Sequence, residues 1–61
     1  MTKRREIVKE LLDAGFVLRP SKRSNHDNFV KEGIKRPVPV PRHRELDDIT
    51  ASEIRKQAGL R

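Results

Sequence analysis

The sequence has no cysteine, tryptophan or tyrosine, only two phenylalanines, three glycines that stand alone, and no long apolar run. Without cysteine there is no disulfide, no thiol nucleophile and no thiolate metal site, and the absence fits a reducing compartment. Glycines isolated at 15, 33 and 59 exclude a glycine-rich phosphate loop. With Phe16 and Phe29 the only aromatics, and both placed where a core needs them, there is no stacking platform for single-stranded bases. No apolar stretch approaches the roughly 18 residues of a membrane span, and the N-terminus lacks the apolar segment of a signal peptide. A cytoplasmic protein without a membrane partner is expected.

What is present is positive charge. Fifteen Lys and Arg against nine Asp and Glu give +6 on 61 residues, with a pI near 10.6. That is the footprint of a polyanion binder, because each cation that neutralises a phosphate also releases counterions. An anionic membrane fits less well, since no segment joins a broad, aromatic-bearing apolar face to a basic one. Residues 1–61 make one domain, and a chain of this size buries only about 60 % of its unfolded surface, so every apolar residue counts. The apolar residues are few but well patterned.

Ile7, Val8, Leu11 and Leu12 recur at the spacing of one helical face, with Thr2 as a candidate cap and Gly15 as the left-handed stop. Phe16–Arg19 is a short strand-forming run ended by Pro20, followed by the polar, basic loop 21–25. A second strand is expected from about His26 to Lys31, where period-2 geometry puts His26 on one face and Asp27 and Phe29 on the other. Glu32-Gly33 supplies a turn. The third strand, Lys35 to Val40, carries Pro37, Pro39 and, just beyond it, Pro41. Prolines two apart strip the donors from one lateral side, while Val38 and Val40 keep theirs for the other, so this is an edge strand that resists strand addition by a partner. The alternative is a solvated polyproline-type linker. Thr50-Ala51-Ser52-Glu53 reads as a capping box opening a last helix, with Ile54 and Ala58 on one face and Gly59-Leu60 closing it. The fold class is α+β in the order α-β-β-β-α, a three-stranded antiparallel sheet with two helices on one face and the other face open.

Few residues could carry chemistry. Two histidines without carboxylates at ligand spacing argue against a metal site, and 61 residues leave little room for the strained elbow of a Ser-His-Asp hydrolase. No cofactor is expected. RNA brings its own nucleophile, the 2′-hydroxyl, so a histidine that moves protons and cations that stabilise the phosphorane suffice. His26 falls on the open face just after the basic loop; on spacing alone a lone exposed histidine beside charges is more often an ordinary surface residue than a catalytic one. His43, between Arg42 and Arg44, is a phosphate contact, a second proton-transfer group or a loop residue with no role. Asp27 could orient His26 only if the strand were irregular. Lys3, Arg4, Arg5, Arg55, Lys56 and Arg61 read as solvated helix faces.

Taken together, Leu11-Leu12-Asp13-Ala14-Gly15-Phe16, Ser24-Asn25-His26 with Phe29 three residues on, Gly33, Val38-Pro39-Val40-Pro41-Arg42-His43 and Ile54-Arg55-Lys56-Gln57-Ala58-Gly59-Leu60 resemble the HicA family of bacterial toxin–antitoxin systems, over nearly the whole chain. The resemblance implies a double-stranded-RNA-binding-domain-like fold, an endoribonuclease (mRNA interferase) that cleaves messenger RNA, and a HicB-type antitoxin that covers the active site. It places the family's catalytic histidine on His26 and the histidine of its Val-Pro-x-His segment on His43. The chain departs from the family pattern at Arg23, where glycine is usual; arginine adds charge and forbids some backbone conformations. On this reading His26 is the general base or acid, and Lys22, Arg23, Arg36, Arg42 and Arg44 are candidate RNA contacts. Two other classes fit the same charge: a non-catalytic RNA-binding module of the same fold, and a basic adaptor for an acidic protein.

Overall fold

Ile7 and Leu11 stand one helical turn apart, and in the computed structural model both are buried on the inner face of α1 (Arg4–Asp13). The described residues are 1–23 and 25–60; Ser24 of the family-like motif and Arg61 lie outside them. Val8 packs against the edge of the core, while Leu12 turns outward and is half exposed. Gly15 ends the helix with φ 97°. There the Phe16 N–H donates to the Leu11 carbonyl at 2.9 Å and the Gly15 N–H to that of Leu12 at 3.0 Å. This double closure satisfies two carbonyls that the helix end leaves open, and it drops Phe16 into the core beside Leu11.

The expected cap at Thr2 does not form. Lys3 occupies the cap position with no side-chain cap, because Thr2–Lys3 is extended as β1 and pairs antiparallel with β5 (Glu45–Leu46). The Thr2 hydroxyl instead donates to Asp48 Oδ1 at 3.2 Å. Two residues per strand carry too little pattern to be seen in a sequence.

The main sheet runs β2 (Val17–Pro20), β3 (His26–Val30), β4 (Val38–Pro41), antiparallel throughout with β3 in the centre. Between β3 and β4 the Ile34 N–H donates to the Lys31 carbonyl at 3.0 Å, with Gly33 at φ 90°, the positive φ a type II turn demands at its third residue. The register sets Phe29 opposite Val38 and His26 opposite Pro41. Beyond β4 the Arg42 N–H donates to the Asn25 carbonyl at 2.9 Å, so the even-numbered residues of this strand point their backbone groups inward and Pro39 and Pro41 face the outer edge. The edge-strand reading holds, and the linker reading is overturned.

Phe29, Val38 and Val40 point to the same side and meet α1 and α2 in one core with Leu46, Ala51 and Ile54. Helix α2 spans Asp48–Gln57 and starts earlier than its expected capping box. Asp47 is the cap: its carboxylate accepts from the Thr50 N–H at 2.7 Å and from the Thr50 hydroxyl at 3.0 Å. Gly59, at φ 74°, closes the far end as expected, with the Leu60 N–H on the Arg55 carbonyl at 2.8 Å. Arg55 is not a solvated residue. It grips Glu10 of α1 through Nε at 2.9 Å and Nη2 at 2.7 Å, tying the helices together.

Candidate active site

Because β3 is a regular strand, alternation decides what each residue near its start can do. Phe29 is 1 % exposed on the helix side, whereas His26 is exposed on the open face. His26 lies in the row of Pro41. The neighbouring row on the same face is Arg19, Asn28 and Pro39. Arg19 is exposed and on the His26 face. Its sequence context, an apolar run, gave no hint of this; only the register of β2 against β3 puts it there.

Lys22 and Arg23 are exposed in the loop that leads into His26. The loop is held at both ends: the Ser21 hydroxyl accepts from the Arg23 N–H at 3.3 Å, and the Asn25 carbonyl accepts from the Arg42 N–H. These two cations and His26 therefore stand together at one end of the sheet. His43 is exposed in the connection after β4, two residues past the strand partner of His26.

The remaining expected contacts are placed differently. Arg36 sits in the β3–β4 connection, at the opposite end of the sheet from His26, a strand length of roughly 14 Å away. There it lines a shallow cleft with Ile34, Pro37 and Gln57. Arg44 is exposed beside the start of α1, where its carbonyl accepts from the Arg4 N–H at 3.0 Å and it lines a cavity of about 250 Å³ with Lys3, Arg4, Arg5 and Glu45.

Arg42 turns under the sheet. Its Nε donates to Asp27 Oδ1 at 2.9 Å and its Nη2 to the Ser21 carbonyl at 2.8 Å. Asp27, on the face away from His26, does not orient the imidazole directly, as regular pleating requires. It accepts a second arginine, Arg4, at 2.6 Å on Oδ2, and Arg4 Nε donates in turn to the Pro41 carbonyl at 2.8 Å. Arg4 read in the sequence as a solvated helix residue; its partner lies 23 positions away, a separation that periodicity cannot report.

Comparison with known proteins agrees with the architecture. The family model for the HicA toxin of bacterial toxin–antitoxin systems matches residues 4–60. A chain in the solved structure of a toxin–antitoxin complex from Streptococcus pneumoniae is 34% identical, with a TM-score of 0.81 over 97% of this chain and 98% of that one. No curated protein matches the chain.

Proposed function

The chain belongs to the HicA family of toxins from bacterial toxin–antitoxin systems, and from that premise we propose that it is a cytoplasmic endoribonuclease that cleaves messenger RNA without a metal and is neutralised by a HicB-type antitoxin. The observation that carries the reading is the placement of His26: exposed, on the open face, directly after a clasped loop that presents Lys22 and Arg23.

The chemistry needs little more. The 2′-oxygen attacks the adjacent phosphorus while its proton passes to a base; the bond to the 5′-oxygen breaks as that oxygen receives a proton. His26 serves one of these transfers, as an imidazole can at neutral pH, and His43 is the candidate for the other. Lys22 and Arg23, with Arg19 on the same face, bear on the charge that builds on the phosphorane. Recognition rests on phosphate and ribose, since Phe16 and Phe29 are both buried and leave no aromatic for stacking. The antitoxin docks on the open face or along the helices. Strand addition beside β4 is disfavoured because Pro39 and Pro41 remove the outward donors from that edge.

The test is cleavage of RNA in chelator by the wild type and by His26→Ala. The wild type should leave 2′,3′-cyclic phosphate and 5′-hydroxyl ends and spare a 2′-deoxy substrate, while His26→Ala binds RNA equally and cleaves none. Cleavage by both proteins would remove His26 from the chemistry. Binding without cleavage by either would make the protein a non-catalytic RNA-binding module.

A further inference from the structure

On the helix side of the sheet, directly behind His26, Asp27 joins two arginines that come from distant parts of the chain. Its side chain is 15% exposed, and those of Arg4 and Arg42 are 24% and 43% exposed. Both carboxylate oxygens are used, one on each guanidinium. Each arginine then spends a second donor on a backbone carbonyl: Arg4 on Pro41 at 2.8 Å and Arg42 on Ser21 at 2.8 Å.

Those two carbonyls are not arbitrary. Pro41 is the cross-strand partner of His26, and Ser21 opens the loop that carries Lys22 and Arg23. The far end of that loop is held by the same residue, through the Arg42 N–H on the Asn25 carbonyl at 2.9 Å. Arg42 therefore fastens both ends of the cationic loop, Arg4 fastens the strand beside His26 to the first turn of α1, and Asp27 locks the two arginines together.

Stability alone is a poor account of such an arrangement. Removing charges from water offsets most of what their pairing returns, and well-packed apolar residues do as well or better. Val40, directly opposite Asp27 on this face, and Phe29 and Val38, one row away, show the apolar solution. What an ion-pair clamp supplies is a fixed geometry, with two planar forks each set by two acceptors.

We infer that Asp27 is a positioning residue, which with Arg4 and Arg42 fixes the backbone of His26 and of the loop bearing Lys22 and Arg23 for phosphoryl transfer. The inference rests on the reading of His26 as a proton-transfer group. Asp27 touches no substrate, being on the opposite face. Its effect is exerted on where the His26 ring and the loop cations stand when RNA binds.

The experiment measures kcat and KM for RNA cleavage, with thermal midpoints, for wild type, Asp27→Asn, Asp27→Glu, Arg42→Lys and His26→Ala. Asp27→Asn, folded at the assay temperature, should lose about 100-fold in kcat, the size of effect that follows from displacing a reacting group by about 1 Å. Its KM should stay near the wild-type value, and Asp27→Glu should recover part of kcat. Arg42→Lys keeps the charge but cannot reach both Asp27 and Ser21, so it should show the same split. It also carries the test if Asp27→Asn does not fold. A lower thermal midpoint with kcat unchanged, in either variant, overturns the inference and leaves the cluster purely structural. Full activity of Asp27→Asn and Arg42→Lys beside an inactive His26→Ala overturns the clamp alone, whereas full activity of His26→Ala overturns the reading beneath it.

Discussion

Removing the Glu10–Arg55 pair should cost more than a surface ion pair of ordinary geometry. The two side chains are 40% and 23% exposed, and the guanidinium meets the carboxylate through two bonds, at 2.9 and 2.7 Å. Exposed pairs are worth about 0.2–1 kcal/mol, and double bonding with partial burial places this one near the top, about 1 kcal/mol. The Glu10 bond also raises the pKa of Arg55 above its ordinary value, chiefly through that hydrogen bond. A domain of 61 residues has a total stability of roughly 3–9 kcal/mol, so this is a sizeable share. Glu10→Ala strands a partly buried guanidinium and should cost about 1–2 kcal/mol. With roughly 4–8 °C per kcal/mol for a domain this small, the thermal midpoint should fall by several degrees. The assay is urea unfolding of the wild type, Glu10→Ala, Arg55→Ala and the double variant. The coupling between the two sites should be near 1 kcal/mol and shrink in high salt, which screens a pair this exposed. Additive single-site losses, with no coupling at low salt, would refute the claim that this pair joins the helices.

Two further outcomes follow from the core and the second helix. Leu11 is fully buried, so Leu11→Ala should cost about 2–5 kcal/mol, comparable with the total, and guanidinium titration should find a greatly lowered midpoint or no folded baseline. An unchanged midpoint would mean that α1 does not pack as described. The Asp47 carboxyl is held below its ordinary value near 3.8, first by the Thr50 N–H and then by the Thr50 hydroxyl. A lowered folded pKa gives stability that is present above the unfolded value and lost as pH falls through the folded one, so the loss lies below about pH 4. Asp47→Asn, still a good cap, should flatten that acid limb while keeping most of the stability at neutral pH, whereas Asp47→Ala should lower both; thermal midpoints across the acid range decide.

The parts of this fold that were legible in the sequence are those set by local rules. Period 3.6 in Ile7 and Leu11, period 2 around Phe29, the glycine stops at 15, 33 and 59, and prolines on alternate positions of β4 each act over a few residues. The order α-β-β-β-α, the core aromatics and the edge character of β4 followed from them. So did the separation of His26 from Asp27 onto opposite faces. Helix starts were less legible, because Thr2 and Thr50 are both competent caps and the choice was made elsewhere. Thr2 was drawn into β1 by pairing with β5, and Asp47 reached Thr50 from one turn earlier.

Tertiary structure alone decided which charges are structural and which are open. Arg4, Arg42 and Arg55 look like Lys22 and Arg23 in composition and context, yet the first three are held by Asp27 and Glu10 across separations of 23, 15 and 45 residues. Arg36 carries the same charge at the opposite end of the sheet from His26, and Arg19 reaches the His26 face only through strand register. A sequence records that a cation is present. Whether its charge is spent inside the fold or offered to a phosphate depends on which carboxylate the chain brings within 3 Å, and that is a property of the packed structure.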